Sequence, residues 1–327
     1  VRIAVDIMGG DHAPYEIIKG VIQALPQVRG KVILVGSTEI IEKELANYDY
    51  NSDKLKIEEA SQVIEMEETP TKAVRKKKDS SIVVGANLVR AGKADALVSA
   101  GSTGAVMAAG LLRIGRIKGV KRPAISTVFP ALEGETLILD VGANVDSNAE
   151  NLLQYALMGN IYSKQILHKS QPRVGLLSVG EEAKKGNELT KETYKLLEKL
   201  DINFIGNVEG RDIFNTTCDV VVCDGFIGNI VLKTSEGLVK AVFEMLKNEL
   251  DKSLIAKLGA LLMKSGLKDL KKKIDHSEYG GAPLLGVNGI VIIGHGSSNS
   301  KAIKNAINVA QEAIEKQVLE QIKQNIQ

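Results

Sequence analysis

The chain has 327 residues, 44% of them hydrophobic, and a formal net charge of +2 at pH 7. That length and apolar content can bury a sizeable core, as one large α/β unit or two smaller ones. The small net charge argues against a dedicated nucleic-acid binder, and 4% aromatics with no Trp argue against base-stacking platforms.

The opening Val1-Arg-Ile-Ala-Val5 reads as a core strand rather than a signal peptide, and no apolar run approaches the roughly 20 residues of a spanning helix. Short β-branched runs then recur at 3–5, 32–35, 96–98, 125–128, 137–139, 174–179, 220–222 and 290–293, most of them ending in Gly, Ser or Asp. Helical patterns separate many of them, at 15–25, 38–47, 70–92, 103–114, 148–167, 187–199, 228–250 and 299–324. Apolar strands alternating with helices predict an α/β fold, a mostly parallel sheet sandwiched by helices. No low-complexity linker or repeat divides the chain, so residues 1–327 are expected to form one unit. The interval 251–273 breaks the rhythm: Leu254, Leu258, Leu261 and Leu262 share one helical face flanked by lysines. It predicts a projecting helical insertion near 250–275, bounded roughly by 236 and 280. Its apolar face needs the core, a second subunit or a membrane surface as partner.

Cys218 and Cys223 flank Asp-Val-Val-Val, a spacing that fits neither zinc nor redox motifs. On a strand they face opposite ways, so they read as two small buried hydrophobes in a reducing cytoplasm.

Glycine-rich turns at the ends of the strands carry the chemistry, and they are expected to gather at the sheet's C-terminal edge. The most informative is Ser99-Ala-Gly-Ser-Thr-Gly-Ala105, between a strand and a helix. Free amides, two hydroxyls and a helix N-terminus make an anion site there, although small residues also build ordinary βα turns. The first strand ends in Asp6-Ile-Met-Gly-Gly-Asp-His-Ala-Pro14, which sets Asp11 and His12 at the edge unless Asp11 merely caps the next helix. Asp140-Val-Gly-Ala-Asn-Val-Asp146 offers Asn144 as a carbonyl donor or a cap. The connection Ser178–Glu188 packs acids, Lys184, Lys185 and Asn187 together, as solvated charge or as a phosphate hold. Cys223-Asp-Gly-Phe-Ile-Gly-Asn-Ile230 places Asp224 at a strand end and Asn229 at the mouth of a helix. Glu278-Tyr-Gly-Gly-Ala-Pro-Leu-Leu-Gly286 and Gly294-His-Gly-Ser-Ser-Asn299 complete the set. The sequence has no P-loop, no G-x-G-x-x-G after the first strand, no G-x-S-x-G elbow and no H-E-x-x-H, and its four histidines are scattered. No metal or cofactor is therefore expected.

Asp6-x-Met-Gly-Gly-Asp-x-x-Pro14, Ser99-Ala-Gly-Ser-Thr-Gly104, Asp140-Val-Gly-Ala-Asn144, Cys223-Asp-Gly-Phe-x-Gly-Asn229 and Tyr279-Gly-Gly-Ala-Pro-Leu-Leu-Gly286 together resemble the PlsX family of bacterial phosphate acyltransferases, in order along essentially the whole chain. The resemblance implies transfer of a fatty acyl group from acyl carrier protein to inorganic phosphate, giving acyl phosphate for phospholipid synthesis. It also implies a homodimer, a fold akin to phosphotransacetylases and isocitrate dehydrogenases, and peripheral contact with the cytoplasmic membrane. The reaction needs a phosphate cradle and an oxyanion donor more than a strong base.

Expected roles follow. Gly101, Ser102, Thr103 and Gly104, with Ser297 and Ser298, hold phosphate, and Lys184 balances its charge. Asn229 or Asn144 donates to the carbonyl oxygen, and His12 assists proton movement, oriented by Asp11 or Asp224. The basic run Arg113, Arg116, Lys118, Lys121 and Arg122, near the anion site, is either the docking face for an acidic carrier protein or a solvated helix end. The membrane habit of the family favours Leu254, Leu258, Leu261 and Leu262 as lipid contacts. Two rivals remain: a dehydrogenase of the isocitrate or isopropylmalate type, and a non-catalytic phospho-ligand or lipid-surface binding protein.

Overall fold

The structure is a computed structural model that describes residues 1–274 and 276–326. In chain order the elements of the first third are β1 (Arg2–Asp6), α1 (Tyr15–Ala24), β2 (Lys31–Gly36), α2 (Thr38–Leu45), β3 (Leu55–Glu59), α3 (Pro70–Lys76), α4 (Ser81–Arg90), β4 (Ala96–Ser99) and α5 (Thr103–Ala109). The middle holds β5 (Ala124–Pro130), β6 (Glu135–Leu139), α6 (Ala149–Gln165), β7 (Val174–Leu177), α7 (Glu188–Leu197), β8 (Phe204–Val208) and β9 (Val220–Val222). Then come α8 (Gly225–Asp251), α9 (Leu254–Leu262), α10 (Lys264–Ile274), β10 (Ala282–Leu285), β11 (Ile290–Ile293), α11 (Ser300–Glu315) and α12 (Val318–Asn325).

All the strands join one sheet, in the order β3-β2-β1-β4-β11-β10-β5-β6-β9-β7-β8. Helices cover both faces. Ile17, Ile18 and Val21 of α1 pack with Ile303 and Ile307 of α11 against β1, β2 and β4. Gly20 allows that close approach, because a Cβ there would lie 2.6 Å from the Ser300 carbonyl oxygen. On the opposite face α4 and α5 bury Ile82, Val83, Ala105 and Val106. In the far half, α6 buries Leu152, Tyr155 and Ala156 against β6, β7 and β9.

The predicted α/β architecture stands, with local differences. The helix expected over 70–92 is two, broken between Lys76 and Ser81. The pattern over 299–324 also splits, at Gln317 with its φ of 54°. The expected 103–114 helix widens into a π-helical turn at Gly110–Ile114, where Gly115 N donates to the Gly110 carbonyl. Three strands are additional: β3 and β8 lie at the sheet edges, with Glu, Lys or Gly interrupting their apolar pattern, and β10 lies within what reads as a glycine-proline turn. The helix expected over 228–250 is α8, from Gly225 to Asp251, and α9 and α10 form the helical insertion expected near 250–275.

The site turns do not share one edge. β10 is antiparallel to both β11 and β5, and β5 is antiparallel to β6. Strands β6, β9, β7 and β8 therefore run opposite to β3, β2, β1, β4 and β11. Through the pairs Pro283–Ile292, Leu284–Ile125 and Ser126–Leu139, the end of β6 comes level with the end of β11. Two sets of C-terminal strand ends thus approach each other with β10 and β5 between them.

Candidate functional site

A buried aspartate organises each set of ends. Asp6 closes β1, and its carboxylate accepts from the Ser99 hydroxyl at 2.7 Å and the Met8 amide at 3.1 Å. The Ser99 Oγ in turn accepts from the Gly101 amide at 3.1 Å, so the turns after β1 and β4 are one unit. Gly9 is obligatory there: a Cβ would sit 2.7 Å from the Gly101 nitrogen. The turn after β11 joins them, since Asp11 N donates to the Gly296 carbonyl at 2.8 Å and Gly294 N to the Ser99 carbonyl at 2.8 Å. Burial pushes the Asp6 carboxyl above its ordinary pKa, opposed by bonds from Ser81, Ser99 and the amides of Met8 and Gly9.

Asp140, at the end of β6, does the same for the other half. Its Oδ1 accepts from the amides of Ile125, Gly142 and Ala143 at 3.1, 3.3 and 3.0 Å. Its Oδ2 accepts from Asn144 N at 2.7 Å and Asn144 Nδ2 at 3.0 Å. Burial again raises the carboxyl's pKa, opposed by those same donors. The start of α8 seats on this turn. Asp224 Oδ1 caps it, accepting from Phe226 N and Ile227 N, both at 3.0 Å, and Gly225 N donates to the Asn144 carbonyl at 2.9 Å. Cys223, behind the turn, donates from Sγ to the Asp140 carbonyl at 3.5 Å, and burial pushes its thiol well up.

Between these units opens a cleft of about 270 Å³. One wall carries Thr103, Gly294, His295 and Ser298; the other carries Gly142, Asn229, Lys233 and Glu236. Ile125, Val128, Val141, Leu232, Ala282 and Ile293 supply apolar lining, and Tyr279 also borders the cleft. Polar donors on two facing walls above an apolar surface suit a ligand with an anionic head and a hydrocarbon part.

Of the expected site residues, the cleft gathers Thr103, Ser298 and Asn229. Gly101 and Ser102 are buried immediately before Thr103, Ser102 as the N-cap residue of α5, and Gly104 follows with a Cβ position 2.6 Å from Pro70. Ser297 is exposed, its amide donating to His295 Nδ1 at 3.2 Å. Asn144 is buried, and its amide also donates to the Pro123 carbonyl at 2.7 Å, which commits it to the frame. Asp11 and His12 are exposed at the β1 end. Asp224 cannot orient His12, because β4, β11, β10, β5 and β6 stand between their strands, about 29 Å of sheet at ordinary strand spacing. Lys184 is exposed in the β7–α7 turn, two strands beyond β6, and is not among the cleft residues.

The basic run sits differently from expectation too. α5 and its π-turn lead away from Thr103 before the run, so Arg113 is roughly 15 Å along the helix from the anion turn. Arg113 turns inward, donating to the Val74 carbonyl at 2.7 Å. Arg116 donates to the Lys121 carbonyl, Lys121 pairs with Glu150 at 3.6 Å, and Lys118 and Arg122 are exposed. Leu258, Leu261 and Leu262 are 62%, 64% and 88% exposed, joined by Ile255 and Met263; the side chain of Leu254 lies outside the described residues. Among the described residues no helix is long and apolar enough to cross a membrane.

Sequence reasoning named the turns but missed Asp6 and Asp140 as their organisers, and His295, Lys233 and Glu236 as cleft residues. An Asp ending an apolar strand with Gly two or three residues on is the signal for the first pair. For Lys233 and Glu236 the signal was their spacing of four and seven from Asn229, one helix face.

The fold matches that of a phosphotransacetylase from Streptococcus pyogenes with a TM-score of 0.64, at 16% identity over 96% of this chain and 94% of that one. The fold is thus one that phosphotransacetylases share. The sequence narrows this further: the profile of the family described as "Fatty acid synthesis protein" matches residues 1–321. Proteins named phosphate acyltransferase are 56% identical in Halothermothrix orenii and 58% identical in Desulfitobacterium hafniense, over 100% of this chain and 98% of each relative. The chain belongs to the phosphate acyltransferase family and is an acyltransferase. That membership decides against the dehydrogenase and the non-catalytic readings.

Proposed function

We propose that the enzyme transfers a long-chain fatty acyl group from its thioester with acyl carrier protein to inorganic phosphate, giving acyl phosphate for phospholipid synthesis. The observation that carries this reading is the cleft itself, where anion donors on two walls face one another above an apolar surface. An oxygen of hydrogen phosphate attacks the thioester carbonyl carbon, the C–S bond breaks, and its electron pair leaves on sulfur. The proton of hydrogen phosphate ends on the thiolate, so acyl phosphate and free thiol are the products. A thiol pKa of about 8.5 makes that leaving group easy to expel, and no strong base or metal is required. Thr103 and Ser298, with the amides around Gly101 to Gly104, hold phosphate; Asn229 donates to the carbonyl oxygen as it gains charge.

Residues 1–327 act as one unit in this reading, because the cleft takes a wall from each half. Lys184, exposed in the β7–α7 turn outside the cleft, meets the anionic donor there, and the exposed members of the 113–122 basic run face the acidic carrier protein. The enzyme works as a homodimer in the cytoplasm, and Leu258, Leu261 and Leu262 rest on an anionic membrane. The test is incubation of acyl carrier protein thioesters of several chain lengths with inorganic phosphate, trapping product as its hydroxamate. Phosphate-dependent hydroxamate supports the reading; no product at any chain length overturns it.

A further inference from the structure

Phosphate arriving in the cleft carries between about one and two negative charges near pH 7, and a cation beside the amide cradle would stabilise it. Among the described residues lining the cleft, Lys233 is the one lysine or arginine. Lys184 is not in the lining, and Arg113 is bound to the Val74 carbonyl. Lys233 follows Asn229 by one helical turn on α8, so both face the same space.

Its present partner is Glu236, with Nζ 2.8 Å from Oε2. Helix stability does not account for that pair. Lys preceding Glu is the weaker order along a helix, and the lysine side chain is 54% exposed, so the bond contributes little. The pair is therefore easily exchanged. It also puts a carboxylate beside the space for a dianion, which is unfavourable unless the ammonium stands between them.

We propose that Lys233 is the phosphate-binding cation of the cleft, and that Glu236 is its positioning residue, holding the ammonium until phosphate displaces it. This rests on the acyl-transfer reading above. A compact ammonium with rotatable donors suits such an exchange of partners better than a guanidinium fork. Glu236 thereby weakens phosphate binding while the site is empty and keeps the lysine aimed into the cleft.

The experiment is steady-state kinetics with phosphate and acyl carrier protein thioester varied separately, together with calorimetric titration of the enzyme with inorganic phosphate alone. Lys233→Met should raise the KM for phosphate about tenfold or more, the range of one charge-assisted hydrogen bond, and leave the thioester KM within about twofold. Lys233→Arg should recover part of that loss. Glu236→Gln should move phosphate affinity the opposite way, tightening it about two- to fivefold by removing the competing carboxylate. A merely structural pair would give losses of the same sign in both variants, with both KM values moving together, and that result overturns the proposal. So does an unchanged phosphate affinity in Lys233→Met. Wild-type enzyme that makes no acyl phosphate would defeat the acyl-transfer reading, whereas the phosphate titration judges the lysine separately.

Discussion

Gly228→Ala tests whether the seating of α8 on the β6 turn sets the active geometry. Helix propensity alone predicts a gain of about 1 kcal/mol, since alanine is the better helix former. The structure predicts the opposite sign. A Cβ at residue 228 would lie 1.8 Å from the Asp140 carbonyl oxygen and 3.0 Å from Cys223 Sγ. Real Cβ contacts do not fall below 3.0 Å, so the first turn of α8 must withdraw by at least 1.2 Å from that oxygen. Such overpacking costs roughly 1–3 kcal/mol, and at about 1.5 °C per kcal/mol for a chain of this length the melting temperature should fall by about 2–4 °C. Asn229, the next residue, moves with the turn, and a misplacement of about 1 Å can cost on the order of 100-fold in rate. Hydroxamate assays and thermal melts read both effects. Gly237→Ala, in the same helix with nothing within 4 Å of its Cβ position, is the control and should leave turnover unchanged. A Gly228→Ala enzyme with wild-type kcat and a raised melting temperature would refute the reasoning.

Other outcomes follow from the same structure. Asn229→Ala should lose most turnover while keeping the wild-type melting temperature, since its side chain is exposed in the cleft. Leu258→Glu or Leu262→Glu should release the enzyme from anionic vesicles in a flotation assay without lowering activity in solution; a parallel fall in activity would reassign that face to packing. Burial raises the Asp219 carboxyl's pKa, but the Arg173 bonds at 2.9 and 3.1 Å outweigh it and hold the group below its ordinary value. Its contribution is therefore complete above the unfolded pKa of about 3.9 and lost as pH falls through the lower folded value. The melting-temperature gap between wild type and Asp219→Asn should be constant above about pH 5 and shrink below about pH 4. Burial pushes the Cys218 thiol up to about 12 and the Cys223 thiol well above its ordinary value, so neither should react with a thiol reagent at pH 8 until the chain is unfolded.

Much of the architecture was legible because its central strands are short apolar runs that end in Gly, Ser or Asp. Val32–Val35, Ala96–Val98 and Ile290–Ile293 need both faces covered, and their residues say so. The edge strands β3 and β8 were not legible, because one face of each meets water and charge or glycine interrupts the pattern. Lys77–Ser80 hides a helix break in a polar run, since hydroxyls and lysines neither forbid nor require a helix there.

The site was harder to read, and one strand accounts for most of the difficulty. Tyr279-Gly-Gly-Ala-Pro-Leu-Leu-Gly286 has the composition of a turn, with Gly280, Gly281 and Gly286 all at positive φ. Yet its Ala282–Leu285 is a strand antiparallel to both neighbours, so β5 runs with β11, and the antiparallel β5–β6 pair then reverses everything beyond β5. With the sheet read as all parallel, the glycine-rich loops belong on one edge, and Lys184 is the natural cation for phosphate. With these antiparallel pairings in place, the loops divide between two edges that converge at β10 and β5. The Ser178–Glu188 loop then falls outside the cleft lining, and α8 brings in Lys233 beside Asn229. Which side chains meet here depends on strand direction, a property of pairing across the sheet that local composition does not encode.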